Sequence, residues 1–146
     1  MKIVNYDYST DENAELYKFV SIGPKGKIVK LVVYTIMQED NIYNLAFGDY
    51  NEVTDAIDDK AISNNNDSKK VLSTVASTLY DFTDTHLGVW IFATGSNNAR
   101  TRLYRMGISA NIENILVDFD LLGLINDNWY DFDKNIDFEA FLVKRK

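Results

Sequence analysis

A Gly-Pro-Lys-Gly tetrapeptide at residues 23–26 is the feature that most constrains how this chain can fold. Proline fixes its own φ, and glycine tolerates positive φ, so the tetrapeptide is typical of a tight turn. It joins LYKFVSI to KIVKLVVYTIM, and both runs are rich in β-branched and aromatic residues. This pattern predicts an antiparallel hairpin. The second run is apolar at odd and even positions from Ile28 to Met37, which predicts a strand buried on both faces.

Two later segments have helical patterns. The first is KKVLSTVASTLYDFT, for which the preceding Asp67 or Ser68 is a suitable N-cap. Its apolar residues recur at helical spacing and should face a sheet: Leu72, Val75, Leu79 and Phe82. The segment NNARTRLYRMGISAN predicts a second helix, which Gly107 could end early.

The remaining apolar runs predict strands. IYNLAFGDY and HLGVWIFAT are candidates, with a short strand around residues 53–57. ENILVDFDLLGLI alternates from Ile115 to Leu121, which indicates a half-buried strand. WYDF and FEAFLVKRK predict two further edge or hairpin strands.

The predicted order is β-β-β-α-β-α-β-β-β. It favours an α+β fold with a mainly antiparallel, curved sheet and two helices. A chain of 146 residues is expected to form a single domain, 1–146.

Composition excludes several kinds of site. The chain has no cysteine and one histidine, His86, so thiolate and multi-histidine metal sites are impossible within it. We therefore expect no metal site, and nothing indicates a cofactor. The N-terminal residues lack the apolar core of a signal peptide, and no apolar run is long enough to span a bilayer. A cytoplasmic, non-membrane protein is the expectation.

Several motifs together are similar to those of a known family: SIGPKG, NLxFGD (as NLAFGD), and ARTRLYR at residues 99–105. On these the chain resembles an uncharacterised bacterial family of the Bacteroidetes type, over residues 17–146. The resemblance implies a bacterial domain of unknown function and supplies no activity or cofactor.

Arginine is concentrated in GSNNARTRLYR, residues 95–105, which holds three of the four arginines in a chain of net charge −7. A Gly-Ser turn that opens a helix can offer backbone N–H groups to an anion, and guanidinium groups bind phosphate or carboxylate. At 100° per residue, Asn98, Arg102 and Arg105 share one face, whereas Arg100 points toward Tyr104. The candidate ligand-binding residues are Gly95, Ser96, Asn98, Arg100, Arg102 and Arg105.

Three interpretations of this arginine segment stay open. The arginines could form ion pairs with the acidic C-terminal third of the chain and only dock the helix. They could bind an anionic partner, such as an acidic protein surface, a nucleotide or single-stranded nucleic acid. Alternatively, the domain is a toxin-type nuclease or nucleotidyl-transfer enzyme that uses the arginines on phosphate and His86 or an aspartate as base. The hypothesis carried forward is a non-enzymatic binding module without catalytic residues; pairing of edge strands in a homodimer also stays open.

Three further features are interpreted as structural. Asp118 and Asp120 share a strand face, as magnesium ligands can, but fit a solvated face better. The loop at residues 58–67 is rich in oxygen ligands yet lacks the calcium-loop spacing. His86 follows the first helix and is expected to cap its C-terminus rather than act as a general base.

Overall fold

A computed structural model describes residues 4–37, 41–58 and 63–146. In this part of the chain the fold is α+β, with an open, mostly antiparallel sheet and three helices. The strands are β1 (Ser9–Thr10), β2 (Leu16–Gly23), β3 (Gly26–Ile36), β4 (Ile42–Asn51), β5 (Ala56–Asp58), β6 (Trp90–Ala93), β7 (Phe119–Ile125), β8 (Asn128–Asp131) and β9 (Ala140–Arg145). The helices are α1 (Ser68–Thr85), α2 (Asn98–Ala110) and α3 (Ile112–Asp118).

The chain divides into two compact units, one of residues 1–34 and 46–82 and the other of residues 35–45 and 83–146. Within the described residues, no helix is both long and apolar enough to traverse a bilayer. The expected single domain stays a prediction.

In the first unit the strands are ordered β1-β2-β3-β4, with β5 paired to β4. The predicted hairpin is confirmed: β2 and β3 pair antiparallel, with Gly23 opposite Gly26. The apolar face of α1 is also confirmed, because Leu72, Val75, Leu79 and Phe82 are all buried. The Phe82 ring stacks on Tyr34 of β3 with 4.0 Å between ring centroids.

The hairpin turn is held by a side chain from far along the sequence. Asn65, buried, accepts a hydrogen bond from the Lys25 backbone N–H (2.7 Å) and donates to the Gly26 carbonyl (2.9 Å) and the Ser21 hydroxyl (3.1 Å). A Cβ atom on Gly23 would lie 2.0 Å from the Asn65 carbonyl oxygen, so glycine is required there for close approach. Asn65, which the sequence predicts in a polar connection, therefore stabilises the turn.

The second unit has the strand order β4-β6-β9-β7-β8. β4 and β6 pair parallel, and the other neighbours pair antiparallel. Its core contains Ile91, Phe119, Phe138 and Phe141, all at most 2% exposed.

Three predictions in this unit are wrong. Residues 115–118 belong to the third helix, α3, and not to a strand. Ile115 and Phe119 are four residues apart, so their burial fits a helical turn as well as strand alternation, and Asn111 accepts the helix's first backbone bond from Ile115 (3.0 Å). Gly107 does not end α2, which continues to Ala110. Finally, β9 is not an edge strand: it lies between β6 and β7, whereas β8 is at the edge.

We predict that Asn65→Ala lowers the free energy of unfolding by about 2–3 kcal/mol, because the turn's backbone groups and Ser21 lose their partner in a buried setting. Urea denaturation measures this. Asn64→Ala is the matched control, since Asn64 is exposed and makes one short-range bond to the Asn66 N–H. Equal losses of unfolding free energy in the two variants would contradict this role of the Asn65 side chain.

The tyrosines of the first unit predict an alkaline limit to stability. Burial raises the pKa of the Tyr17 phenol to about 12, whereas an unfolded tyrosine ionises near pH 10. The stability that Tyr17 contributes is therefore fully present below about pH 10 and is lost as the pH rises through about 12. Urea midpoints measured at pH 9 and pH 11 should fall less for Tyr17→Phe than for the unmodified chain. An identical decrease of the urea midpoint in both proteins would show that Tyr17 does not cause the alkaline loss of stability.

Candidate functional site

The start of α2 is fixed by a side-chain cap. Asn97 has an extended backbone, and its Oδ1 accepts the Arg100 N–H at 3.0 Å. Its carbonyl accepts the Thr101 N–H at 3.1 Å. The predicted helix start near Asn97 is therefore confirmed. Within the described residues, the backbone N–H groups of Asn98 and Ala99 donate to no acceptor, as is usual in a first helical turn.

Gly95 packs directly on this first turn. A Cβ atom at Gly95 would lie 2.3 Å from the Thr101 nitrogen and 2.5 Å from the Arg100 Cβ, so only glycine fits. The Gly95 N–H donates to the Thr101 hydroxyl at 3.1 Å. The donor that the sequence assigned to an anion is thus bonded within the protein, and Gly95 positions the helix.

The rotation of α2 separates the three arginines. Arg100 and Tyr104 are the buried residues of the helix, and the Tyr104 hydroxyl donates to the Leu45 carbonyl at 3.2 Å. Asn98, Arg102 and Arg105 lie on the other side and line a cavity. This is the division that helical spacing predicted. Arg100, 7% exposed, makes its interactions inside the protein and does not line the cavity.

The cavity has a volume of about 660 Å³ and lies entirely within the second unit. One wall is the β6–α2 junction with the first two turns of α2, and the other is the segment that leads into β9. The lining residues are Thr94, Gly95, Ser96, Asn97, Asn98, Thr101, Arg102, Arg105, Asp137, Phe138 and Glu139. Of the six candidate ligand-binding residues, the structure brings all but Arg100 to this cavity.

The charges of the cavity come from both walls. Arg105 forms an ion pair with Asp137 at 3.0 Å, in which the arginine side chain is 22% exposed and the aspartate side chain 85%. An exposed pair of this kind contributes at most about 1 kcal/mol. Arg102 is exposed and has no carboxylate partner among residues 4–37, 41–58 and 63–146. In this part of the chain, Arg102 is therefore an exposed arginine of the cavity lining without an ion pair.

Glu139 is anchored by its backbone at the start of β9. Its N–H donates to the Leu124 carbonyl at 2.7 Å, and its carbonyl accepts the Thr94 hydroxyl at 2.9 Å. The Glu139 Oε2 accepts the Asn126 N–H at 3.1 Å. Glu139, whose carboxylate accepts this backbone bond, thus lines the same cavity as Arg102.

The other candidates lie apart from this cavity. His86 directly follows α1; its Nδ1 is 2.9 Å from the Thr85 hydroxyl, and its ring contacts Tyr43 edge-on. Asp118 ends α3, and Asp120 lies exposed on β7. Asp59 of the oxygen-rich loop lies outside the described residues, and Asp67 there accepts hydrogen bonds from Tyr6 and Ser21. In the described chain, no group of three or more histidine, aspartate or glutamate side chains is placed to hold a metal ion.

Sequence reasoning missed several lining residues. Thr94, Asn97 and Thr101 stand within or beside the arginine segment, and their cap and turn bonds are visible only with the helix start in place. Asp137 and Glu139 were considered only as ion-pair partners in an acidic third of the chain. Nothing local marks these two, because strand pairing brings them to α2 from more than thirty residues away.

The fold is thus α+β, with a cavity lined by charged residues beside the start of α2. The chain belongs to the family of unknown function DUF6934, whose model matches residues 2–146. No curated protein and no solved structure matches it significantly.

The different environments of the arginines predict different effects of one substitution. We expect Arg100→Gln to lower the free energy of unfolding by about 2–4 kcal/mol, since it removes a buried group that has partners. Arg102→Gln, two residues on, should change it by no more than about 0.5 kcal/mol, because its side chain is exposed. Urea denaturation of both variants is the measurement. A large loss at Arg102 would show that this arginine, too, is structural.

Proposed function

We propose that the chain is a non-enzymatic binding module that takes an anionic group of its partner in the cavity between α2 and the start of β9. The observation that carries the proposal is Arg102, an exposed guanidinium that lines the cavity and has no carboxylate partner in the described chain. Guanidinium presents paired N–H donors that match carboxylate and phosphate. The setting proposed is a bacterial cytoplasm, as expected from the sequence.

Two features of the cavity wall support this role. Arg105 adds a second guanidinium whose present partner, Asp137, is largely exposed and so weakly held. The N-terminal end of α2, with the N–H groups of Asn98 and Ala99, adds a favourable dipole for negative charge. Polar groups on Asn98 and Thr94 can fix orientation.

The acidic character of the chain limits the kind of partner. At a net charge of −7, extended nucleic acid is repelled by most of the molecule. A cavity of about 660 Å³ is in the range of small-molecule sites. A small anion or one anionic side chain or nucleotide therefore suits the site better than a long strand.

The enzymatic alternative has one observation in its favour. Asp137 and Glu139 line the cavity with the arginines, so a carboxylate could act as base on a bound phosphate ester. His86, the other base considered, does not line it. Cleavage of labelled single-stranded RNA that is lost in Arg102→Gln would favour the enzyme over the binding module.

Pyrophosphate binding, followed by calorimetry at low salt, tests the proposal. We expect Arg102→Gln to weaken binding by about tenfold, the effect of losing one charge-assisted hydrogen bond. Lys134→Gln is the matched control, because it also removes one positive charge but lies outside the cavity lining. Equal affinities of Arg102→Gln and the unmodified chain would refute the site.

A further inference from the structure

The cavity is lined by equal numbers of basic and acidic residues, but not all of them form ion pairs. Two arginines, Arg102 and Arg105, line one wall, and two acidic residues, Asp137 and Glu139, line the other. Arg105 and Asp137 neutralise one another across 3.0 Å. Within the described residues this leaves one cation, Arg102, and one anion, Glu139, that line the same cavity and have no ion-pair partner.

These two residual charges do not meet each other. No carboxylate oxygen of the described chain lies within the 4.0 Å of an ion pair from the Arg102 guanidinium, that of Glu139 included. Glu139, directly before β9, is held by its bonds to Leu124, Thr94 and Asn126. Arg102 is carried by α2, whose start is fixed by Asn97. Arg102 and Glu139 thus belong to different walls of the cavity.

A ligand that carries only negative charge can pair with Arg102 but leaves Glu139, which lines the same cavity, without a partner. A ligand that carries an anionic group and an ammonium group can pair with both Arg102 and Glu139. Hydrogen bonds between ionised partners are about twice as strong as neutral ones. The complementary charge also removes the repulsion that Glu139 exerts on a simple anion.

We infer that the ligand of this cavity is a small zwitterion, with its anionic group at Arg102 and a primary ammonium group at Glu139. This inference rests on the proposed function, because it names the chemical class of the ligand bound at the same site. The anionic group is a phosphate or a carboxylate, and both suit a guanidinium. Asp137, already paired, is not needed for the ammonium contact.

Matched ligand pairs test the inference on the unmodified chain. O-phosphoethanolamine and ethyl phosphate share the phosphate and differ by the ammonium group, and β-alanine and propionate do the same for a carboxylate. Calorimetry, with amide chemical-shift mapping for the weaker ligands, gives the four dissociation constants. We expect the zwitterion of at least one pair to bind about tenfold more tightly than its partner anion; the pair that shows it identifies the anionic group.

Two variants assign the preference to residues. Glu139→Gln should bring the zwitterion to the affinity of the simple anion and leave the simple anion unchanged or slightly stronger. Arg102→Gln should weaken both members of the pair. Glu113→Gln is the charge-matched control, since Glu113 is an exposed carboxylate on α3 outside the cavity lining. The ligand pairs on the unmodified chain decide the matter even if Glu139→Gln fails to fold.

The outcomes separate the two levels of the proposal. Equal affinities within both pairs, with Arg102→Gln still weakening them, would overturn the zwitterion and leave the anion site standing. A preference that survives in Glu139→Gln would also overturn it. Failure of every one of these probes and of pyrophosphate to bind would overturn the anion site and the zwitterion together.

Discussion

The contact between the Gly95 backbone and the first turn of α2 determines the rest of the site. With no Cβ at Gly95, the Arg100 Cβ and the Thr101 nitrogen come within a distance that any other residue would block. The contact sets how α2 is rotated about its axis, and the Asn97 cap sets where the helix begins. Once these are fixed, helical geometry alone sends Arg100 inward and Arg102 to the cavity. The three arginines, close together in sequence, are therefore divided into one that is buried and two that line the cavity.

Charge acts at two scales in this protein. Over the whole chain, acidic residues outnumber basic ones, and this excess discourages polyanionic partners. Two basic and two acidic residues line the cavity, and among the described residues one of each sign has no ion-pair partner. The electrostatic potential in the cavity depends on these nearby charges more than on the net charge, because interactions beyond about one Debye length are screened at ordinary ionic strength.

Much of the fold could be predicted where local patterns and long-range packing agree. The Gly-Pro-Lys-Gly turn and the apolar face of α1 were predicted from residues 23–26 and 72–82, because turn chemistry and helical spacing are local properties. The third helix was missed because Ile115 and Phe119 fit either period over so short a stretch. The central place of β9 was missed, although Ala140, Phe141 and Val143 are apolar at odd and even positions, as in a strand covered on both faces. The face shared by Asn98, Arg102 and Arg105 was predicted; the carboxylates opposite it depend on strand pairing that no local pattern encodes.

The hydrogen bonds between Asn65 and the β2–β3 turn have a consequence for the order of folding. The β2–β3 hairpin is built from neighbouring residues and can begin to form in microseconds. Its turn, however, has backbone groups on Lys25 and Gly26 whose partner is 40 and 39 residues downstream. Until Asn65 has docked, the Lys25 N–H should exchange with water and the Gly26 carbonyl should be hydrated; this docking is a long-range event and slower than local pairing. The hairpin, which is formed by neighbouring residues, is thus completed by a contact that forms late in folding. Amide exchange at Lys25 should therefore report the docking of Asn65 and not the formation of the hairpin.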